Sequence, residues 1–255
     1  MTLTQQQIKE RLASAGIENA ALEARLLCEA LTGAALEAAV QRRCTHYPLQ
    51  YLLGEWCFWR ESYEVSEHCL VPRPDTEHLV EQAVSRLPQG ARFLDLCTGS
   101  GCVAISTLCS RPDTTAVAVD LFPETLALAQ RNAVRNGVQE RLDLWLCDVL
   151  QGTERAERFD AILSNPPYIR ASAMESLSQE VKHEPVAALL GGEDGLDFYR
   201  AILEKWESLL NPGGFYLFEI GYDQAEDLKK LAVAYGRTAT VFRDYGGNDR
   251  VVLLQ

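Results

Sequence analysis

The sequence predicts an α/β fold: a mostly parallel sheet with helices on both faces, preceded by a small all-helical region and a β-hairpin linker. Three observations carry that reading. From about residue 75 onward, short apolar runs alternate with stretches of helical periodicity, the pattern of strand–helix–strand units. Before residue 50 the apolar residues recur at helical spacing only. Between the two lies an aromatic stretch, Trp56-Cys57-Phe58-Trp59, closed by Pro72-Arg73-Pro74. The expected divisions are 1–50 (helical), 51–74 (hairpin linker) and 75–255 (α/β domain), and 255 residues suffice for one ordinary domain with a small companion.

Each element has a local signal. Thr4 and Gln7 form a candidate capping box ahead of Ile8 and Leu12, and Gly16 closes that helix. A second helix runs from about Asn19 to Gly33 with Leu22, Leu26, Leu27 and Ala30, and a third covers Ala34–Arg43, where Arg42-Arg43 reads as a solvated helix end. Val65 and Leu70-Val71 suggest the hairpin, and Asp75 or Thr76 can cap the helix that follows. Strands are expected at Arg92–Leu96, Thr115–Asp120, Leu142–Leu146, Phe159–Leu163 and Gly214–Ile220, with helices near 101–109, 123–136 and 194–209 between them. Thr238–Arg243 and Arg250–Leu254 form a closing hairpin around Gly246-Gly247.

Bulk properties remove several function classes. The net charge is -12, and residues 1–75 alone carry seven Lys/Arg against ten Asp/Glu, so neither part has the basic stripe that grips a phosphate backbone. The polar start, Met1 to Gln7, lacks the apolar core of a signal peptide, and no apolar run is long enough for a bilayer; a cytoplasmic monomer is expected. The eight cysteines show no C-x-x-C pair and read as small buried hydrophobes, and the four histidines are scattered, so no metal is assigned.

Three motifs carry chemistry. Cys97-Thr98-Gly99-Ser100-Gly101 follows a strand and opens a helix, where glycines let the backbone turn tightly beside a ligand. Asp120 ends the next strand, where a carboxylate can accept both ribose hydroxyls of an adenosine. Asp148, beside Val149 after the third strand, could accept from an adenine amino group or be a turn aspartate. The third motif, Asn165-Pro166-Pro167-Tyr168, follows the fourth strand. Two prolines stiffen the turn and remove two donors, leaving the Asn165 side-chain oxygen and the Pro166 carbonyl as acceptors. Two acceptors hold both protons of one NH₂ group and aim its lone pair out of plane, while Tyr168 can stack on the flat group behind it. A nicotinamide-dependent oxidoreductase, suggested by Gly99, Gly101 and Ala104, has no use for that arrangement.

The chain resembles the release-factor glutamine methyltransferases of the HemK type. The likeness rests on Tyr51-Leu52-Leu53-Gly54, Val71-Pro72-Arg73-Pro74-Asp75-Thr76-Glu77, Asp95–Gly101, Ser164–Ile169, Glu184-Pro185, Gly191-Gly192, Asp194-Gly195-Leu196 and the tail Asp244-Tyr245-Gly246 with Asp249-Arg250-Val251. The resemblance implies a seven-stranded Rossmann-like class I methyltransferase domain. Its implied cofactor is S-adenosyl-L-methionine, leaving as S-adenosyl-L-homocysteine, and its implied partners are class 1 peptide chain release factors, methylated on the glutamine of a Gly-Gly-Gln loop. Cys97, Thr98, Gly99, Ser100, Gly101, Asp120, Asp148, Val149 and Asn165 would bind cofactor; Asn165, Pro166, Pro167 and Tyr168 would bind glutamine, with Asn165, Pro166 and Tyr168 catalytic. Some family members carry an aromatic at the Val149 position, so adenine packing would be weaker here. The rivals are an adenine-amine methyltransferase acting on DNA or RNA, against which the acidic balance speaks, and a non-catalytic adaptor.

Overall fold

The computed structural model describes residues 3–255. Four helices open the chain: α1 (Gln5–Ser14), α2 (Ala20–Ala30), α3 (Gly33–Arg43) and the short α4 (Leu49–Leu53). The Thr4 capping box forms, with Gln7 N–H donating to Thr4 Oγ1 at 3.3 Å and Thr4 N–H donating to Gln7 Oε1 at 2.9 Å. Ile8, Leu12, Ala24, Leu27 and Val40 are fully buried in a core of their own, each large side chain contributing about 1.5–3 kcal/mol. The sequence gives no warning of α4, which begins after Pro48, ends at Gly54 in the left-handed region, and spans the expected 50/51 division.

Arg43 departs from expectation. It is buried, with its guanidinium donating to both oxygens of Glu23 at 2.6 and 3.0 Å and to Glu180 Oε2 at 2.9 Å. Arg42 alone stays in solvent, over the Tyr47 ring at 3.8 Å. The cysteines are also less buried than expected: Cys69 and Cys102 are buried, Cys57 is exposed and five are half-buried, all of them free thiols.

The hairpin is β1 (Glu55–Phe58) and β2 (Glu61–Glu64), turning at Trp59, and it does not use Leu70-Val71. Pro72 and Pro74 cannot donate to a ladder, and the Val71 N–H goes instead to Glu184 Oε2 at 3.0 Å. Neither Asp75 nor Thr76 caps the next helix: Pro74–Thr76 is a 3₁₀ turn running into α5 (Glu77–Arg86), and the Thr76 hydroxyl is engaged elsewhere.

The remaining chain supplies β3 (Arg92–Leu96), α6 (Cys102–Ser110), β4 (Thr115–Asp120), α7 (Pro123–Arg135), β5 (Leu142–Leu146), β6 (Phe159–Ser164), α8 (Asp197–Lys205), β7 (Leu210–Glu219), α9 (Ala225–Ala234), β8 (Ala239–Arg243) and β9 (Asp249–Leu254). The sheet order is β5-β4-β3-β6-β7-β9-β8, with β9 antiparallel to both its neighbours and the other pairs parallel. β7 starts earlier than expected because a register shift absorbs Pro212-Gly213-Gly214 before the ladder resumes at Phe215. The α9 helix, absent from the sequence expectation, buries Ala225, Leu228 and Ala232 on one face of the sheet. Strand order reverses between β3 and β6, the switch point at which open α/β sheets bind ligands. There Leu96 pairs with Ser164, whose hydroxyl also donates to the Leu96 carbonyl at 2.6 Å. The glycine loop and Asn165 therefore leave the sheet side by side.

Candidate active site

A cavity of about 580 Å³ lies over that switch point. Cys97, Thr98, Gly99, Ser100, Asp120, Asp148, Val149, Asn165 and Pro167 all line it. Gly101, Pro166 and Tyr168 do not: Gly101 is the N-cap of α6, where a Cβ would stand 2.8 Å from Ile105 Cδ1 and 3.2 Å from Ala129 Cβ, so it permits close packing of α6 on α7. Pro166 is buried, and Tyr168 packs beside the apolar cluster of one sheet face.

The loop is built on fixed dihedrals and a buried carboxylate. Cys97 and Gly99 have φ of +60° and +56°. Asp95 Oδ2 accepts from Thr98 Oγ1 at 2.6 Å and from the Ala104 N–H at 3.2 Å, tying loop to helix. Burial pushes the Asp95 carboxyl up to about 7 despite those donors. Asp120 Oδ2 accepts from the Gly99 N–H at 3.0 Å and Oδ1 from the Phe122 N–H at 3.2 Å. Each oxygen keeps a lone pair, which suits a vicinal diol. Asp148 Oδ1 takes the Leu150 N–H at 2.9 Å, so it is both the turn aspartate and part of the wall, with Oδ2 left for a donor. Cys69 and Cys97 also line the cavity; burial raises both thiols, Cys69 to about 12, so they are neutral walls and not nucleophiles at pH 7.

The side-chain amide of Asn165 is held at one end. Its Nδ2 donates to Thr76 Oγ1 at 3.1 Å, while Oδ1 meets no donor among the described residues. A free acceptor therefore stands beside Pro167 at the cavity, in the tetrapeptide that also carries the Pro166 carbonyl. The Tyr168 hydroxyl points away, toward Glu219 Oε1 at 3.4 Å.

Segment 65–73 closes the cavity from one side, with His68, Cys69, Leu70, Val71, Pro72 and Arg73 in the wall. Segment 170–192 closes it from another through Pro185, Val186, Ala187, Ala188 and Leu190. Buried Glu184 joins the two, accepting from the Val71 N–H and from Arg73. Asn132 of α7 does the same for the hairpin, bonding both the N–H and the carbonyl of Glu64 and the Ser100 carbonyl. Among the described residues no His, Cys, Asp and Glu cluster is placed to hold a metal, and no helix is long and apolar enough to cross a membrane.

Comparison with known proteins agrees with this geometry. A methyltransferase of Pyrococcus furiosus shares the fold, with a TM-score of 0.57 at 20% identity over 75% of this chain and 87% of that one. The family described as "Methyltransferase small domain" matches residues 75–192. The release factor glutamine methyltransferase of Cereibacter sphaeroides is 41% identical, with 95% of this chain and 93% of that one covered. The chain belongs to the release factor glutamine methyltransferase family. The Geobacter sulfurreducens member is 40% identical, over 94% of this chain and 91% of its own. Several motif residues of this family member acquire a physical role that the sequence hid. Gly191 and Gly195 lie against the tetrapeptide: a Cβ would stand 2.7 Å from the Pro167 carbonyl oxygen at Gly191 and 2.4 Å from that of Tyr168 at Gly195. Thr76 and Glu184 act through partners more than 85 positions away, Asn165 and Val71, which no local pattern announces.

Proposed function

We propose that this methyltransferase transfers the methyl group of S-adenosyl-L-methionine to the side-chain amide nitrogen of the glutamine in the Gly-Gly-Gln loop of class 1 peptide chain release factors. The observation that carries the reading is the orientation of Asn165, with Nδ2 tied to Thr76 and Oδ1 open. An open oxygen accepts from an NH₂ group; an open amino group would repel it.

The residues fit the cofactor. Asp120 would hold the ribose hydroxyls, Asp148 the adenine amino group, and Val149 one adenine face, with the Cys97–Gly101 loop alongside. When bound, the cofactor supplies a sulfonium methyl that is already electrophilic. The chain's own task is the nucleophile. An amide lone pair is delocalised, so Asn165 Oδ1 and the Pro166 carbonyl must hold both N–H bonds and favour a partly pyramidal nitrogen, an interaction stronger in the transition state than in the ground state. Tyr168, outside the cavity lining, buttresses the tetrapeptide from behind through the apolar cluster and Glu219. No general base is assigned among these residues.

In this reading residues 75–255 carry the chemistry, residues 51–74 close the cofactor cavity, and the helical residues 1–50 hold the release factor away from its glutamine. The test is transfer of labelled methyl to a purified class 1 release factor, beside the same factor with its loop glutamine changed to alanine. Label in the first and none in the second is expected. Equal label in both would overturn the site, and label in neither would overturn the substrate.

A further inference from the structure

Two loose ends behind Asn165 match each other. Thr76 Oγ1 accepts from Asn165 Nδ2 at 3.1 Å, so its own proton must be donated elsewhere. The buried Glu219 carboxyl lies against Thr76, and its Oε2 has no hydrogen-bond partner among the described residues. Orphaned buried polar atoms are costly and rare. We infer that Thr76 and Glu219 are positioning residues that set which end of the Asn165 amide faces the substrate. The inference rests on the methyl-transfer function proposed above.

The direction of the relay follows from what each group can donate. An ionised carboxylate only accepts, so a Thr76 hydroxyl that turns its proton toward the unpartnered Glu219 Oε2 offers its lone pair to Asn165 Nδ2. That leaves Asn165 Oδ1 outward. A protonated Glu219 can donate to Thr76, whose proton then turns to Asn165. The amide flips to satisfy it, and Nδ2 faces the incoming NH₂. The same three side chains thus hold either a competent or an incompetent amide, according to one proton.

The surroundings place that proton in the physiological range. Burial raises the Glu219 carboxyl to about 7. Thr76, Tyr168 and Arg250 favour the ionised form, and Asp75 opposes it. Tyr199 and Cys102 also face it, both neutral, with the Tyr199 hydroxyl on the Glu219 backbone carbonyl at 2.8 Å. Arg250 is itself held by Asp244 at 3.1 Å.

The experiment is the pH dependence of kcat for methyl transfer to the release factor, with KM and cofactor affinity measured alongside. For the wild type, kcat should rise through about pH 7 as Glu219 ionises. Glu219→Gln and Thr76→Val should each lose that rise and lower kcat by about ten- to a hundredfold, the scale of removing an outer partner that orients a reactive group. KM for the whole release factor should change little, and Thr76→Ser should restore both rate and rise. If Glu219→Gln does not fold, the Thr76→Val and Thr76→Ser pair decides by the same readouts. A rise that survives in Glu219→Gln belongs to another group, such as Asp95, and overturns the inference. So does a Thr76→Val variant with wild-type kcat, or one matched by Thr76→Ser. A wild type inactive on release factors overturns the function beneath it, and the inference with it.

Discussion

Asn165 carries one donor group and one acceptor, and its donor is turned to Thr76. Replacing it by alanine removes one preorganised acceptor, so Asn165→Ala should lower turnover by the equivalent of about 2–4 kcal/mol. Single-turnover rates with saturating cofactor read this directly, and near-normal turnover would show that Oδ1 does not hold the substrate. The nature of this residue was legible in the sequence, because an amide ahead of two prolines at a strand's end has few other uses. Its orientation was not. Thr76 looked like a helix cap, the usual role of a threonine just ahead of a helix, and only the fold brings its hydroxyl to a residue 89 positions later.

At the scale of elements, the strands were readable because their signals are local: β-branched and apolar runs ended by Gly, Pro or Asp. β3, β4 and β5 fall where the sequence puts them. The misreadings share a cause. Leu70-Val71 has strand composition, yet Val71 is held by Glu184, 113 positions away, and its neighbouring prolines forbid a ladder. The stretch 170–192 is a different case, long for a connection in the sequence and without a regular pattern that explains its length. Its backbone returns to the tetrapeptide, with the Ile169 N–H donating to the Leu189 carbonyl and the Gly191 N–H to the Ile169 carbonyl, each at 2.9 Å. Gly195 completes the approach, with φ +76° and no room for a Cβ beneath the Tyr168 carbonyl. Gly195→Ala must push Tyr168 aside, and a displacement near 1 Å costs about a hundredfold in rate. Its kcat should fall steeply while cofactor affinity, set at the other strand ends, changes little. Full activity in this variant would mean that Tyr168 tolerates the shift.

Across the whole molecule, two buried charge systems set stability. Arg43 joins Glu23 of the helical region to Glu180 of the cavity-closing segment. Arg43→Met would leave Glu23 buried without its partner and should cost about 3–5 kcal/mol, read as a lower denaturant midpoint, with the Glu23→Leu/Arg43→Met double variant recovering much of it. The second is a set of separate buried carboxyls, of which Asp95 and Glu219 are both raised to about 7 by burial. In the unfolded chain these carboxyls return to about 3.8 and 4.5. Between those values and 7 the unfolded state has released protons that the native state still holds, so stability falls as pH rises through this window and levels off above about 7. Exposed Asp194 and half-buried Glu64, lowered by Arg200 and Arg131, pull the other way but are screened by solvent. The net expectation is a melting temperature that declines from about pH 5 to about pH 7 at constant ionic strength. Asp95→Asn keeps an acceptor for Thr98 and Ala104 but cannot ionise, so its decline should be shallower. An equal slope in wild type and Asp95→Asn would remove Asp95 from the account and leave the other carboxyls raised by burial, Glu219, Asp120 and Glu184, to carry the decline.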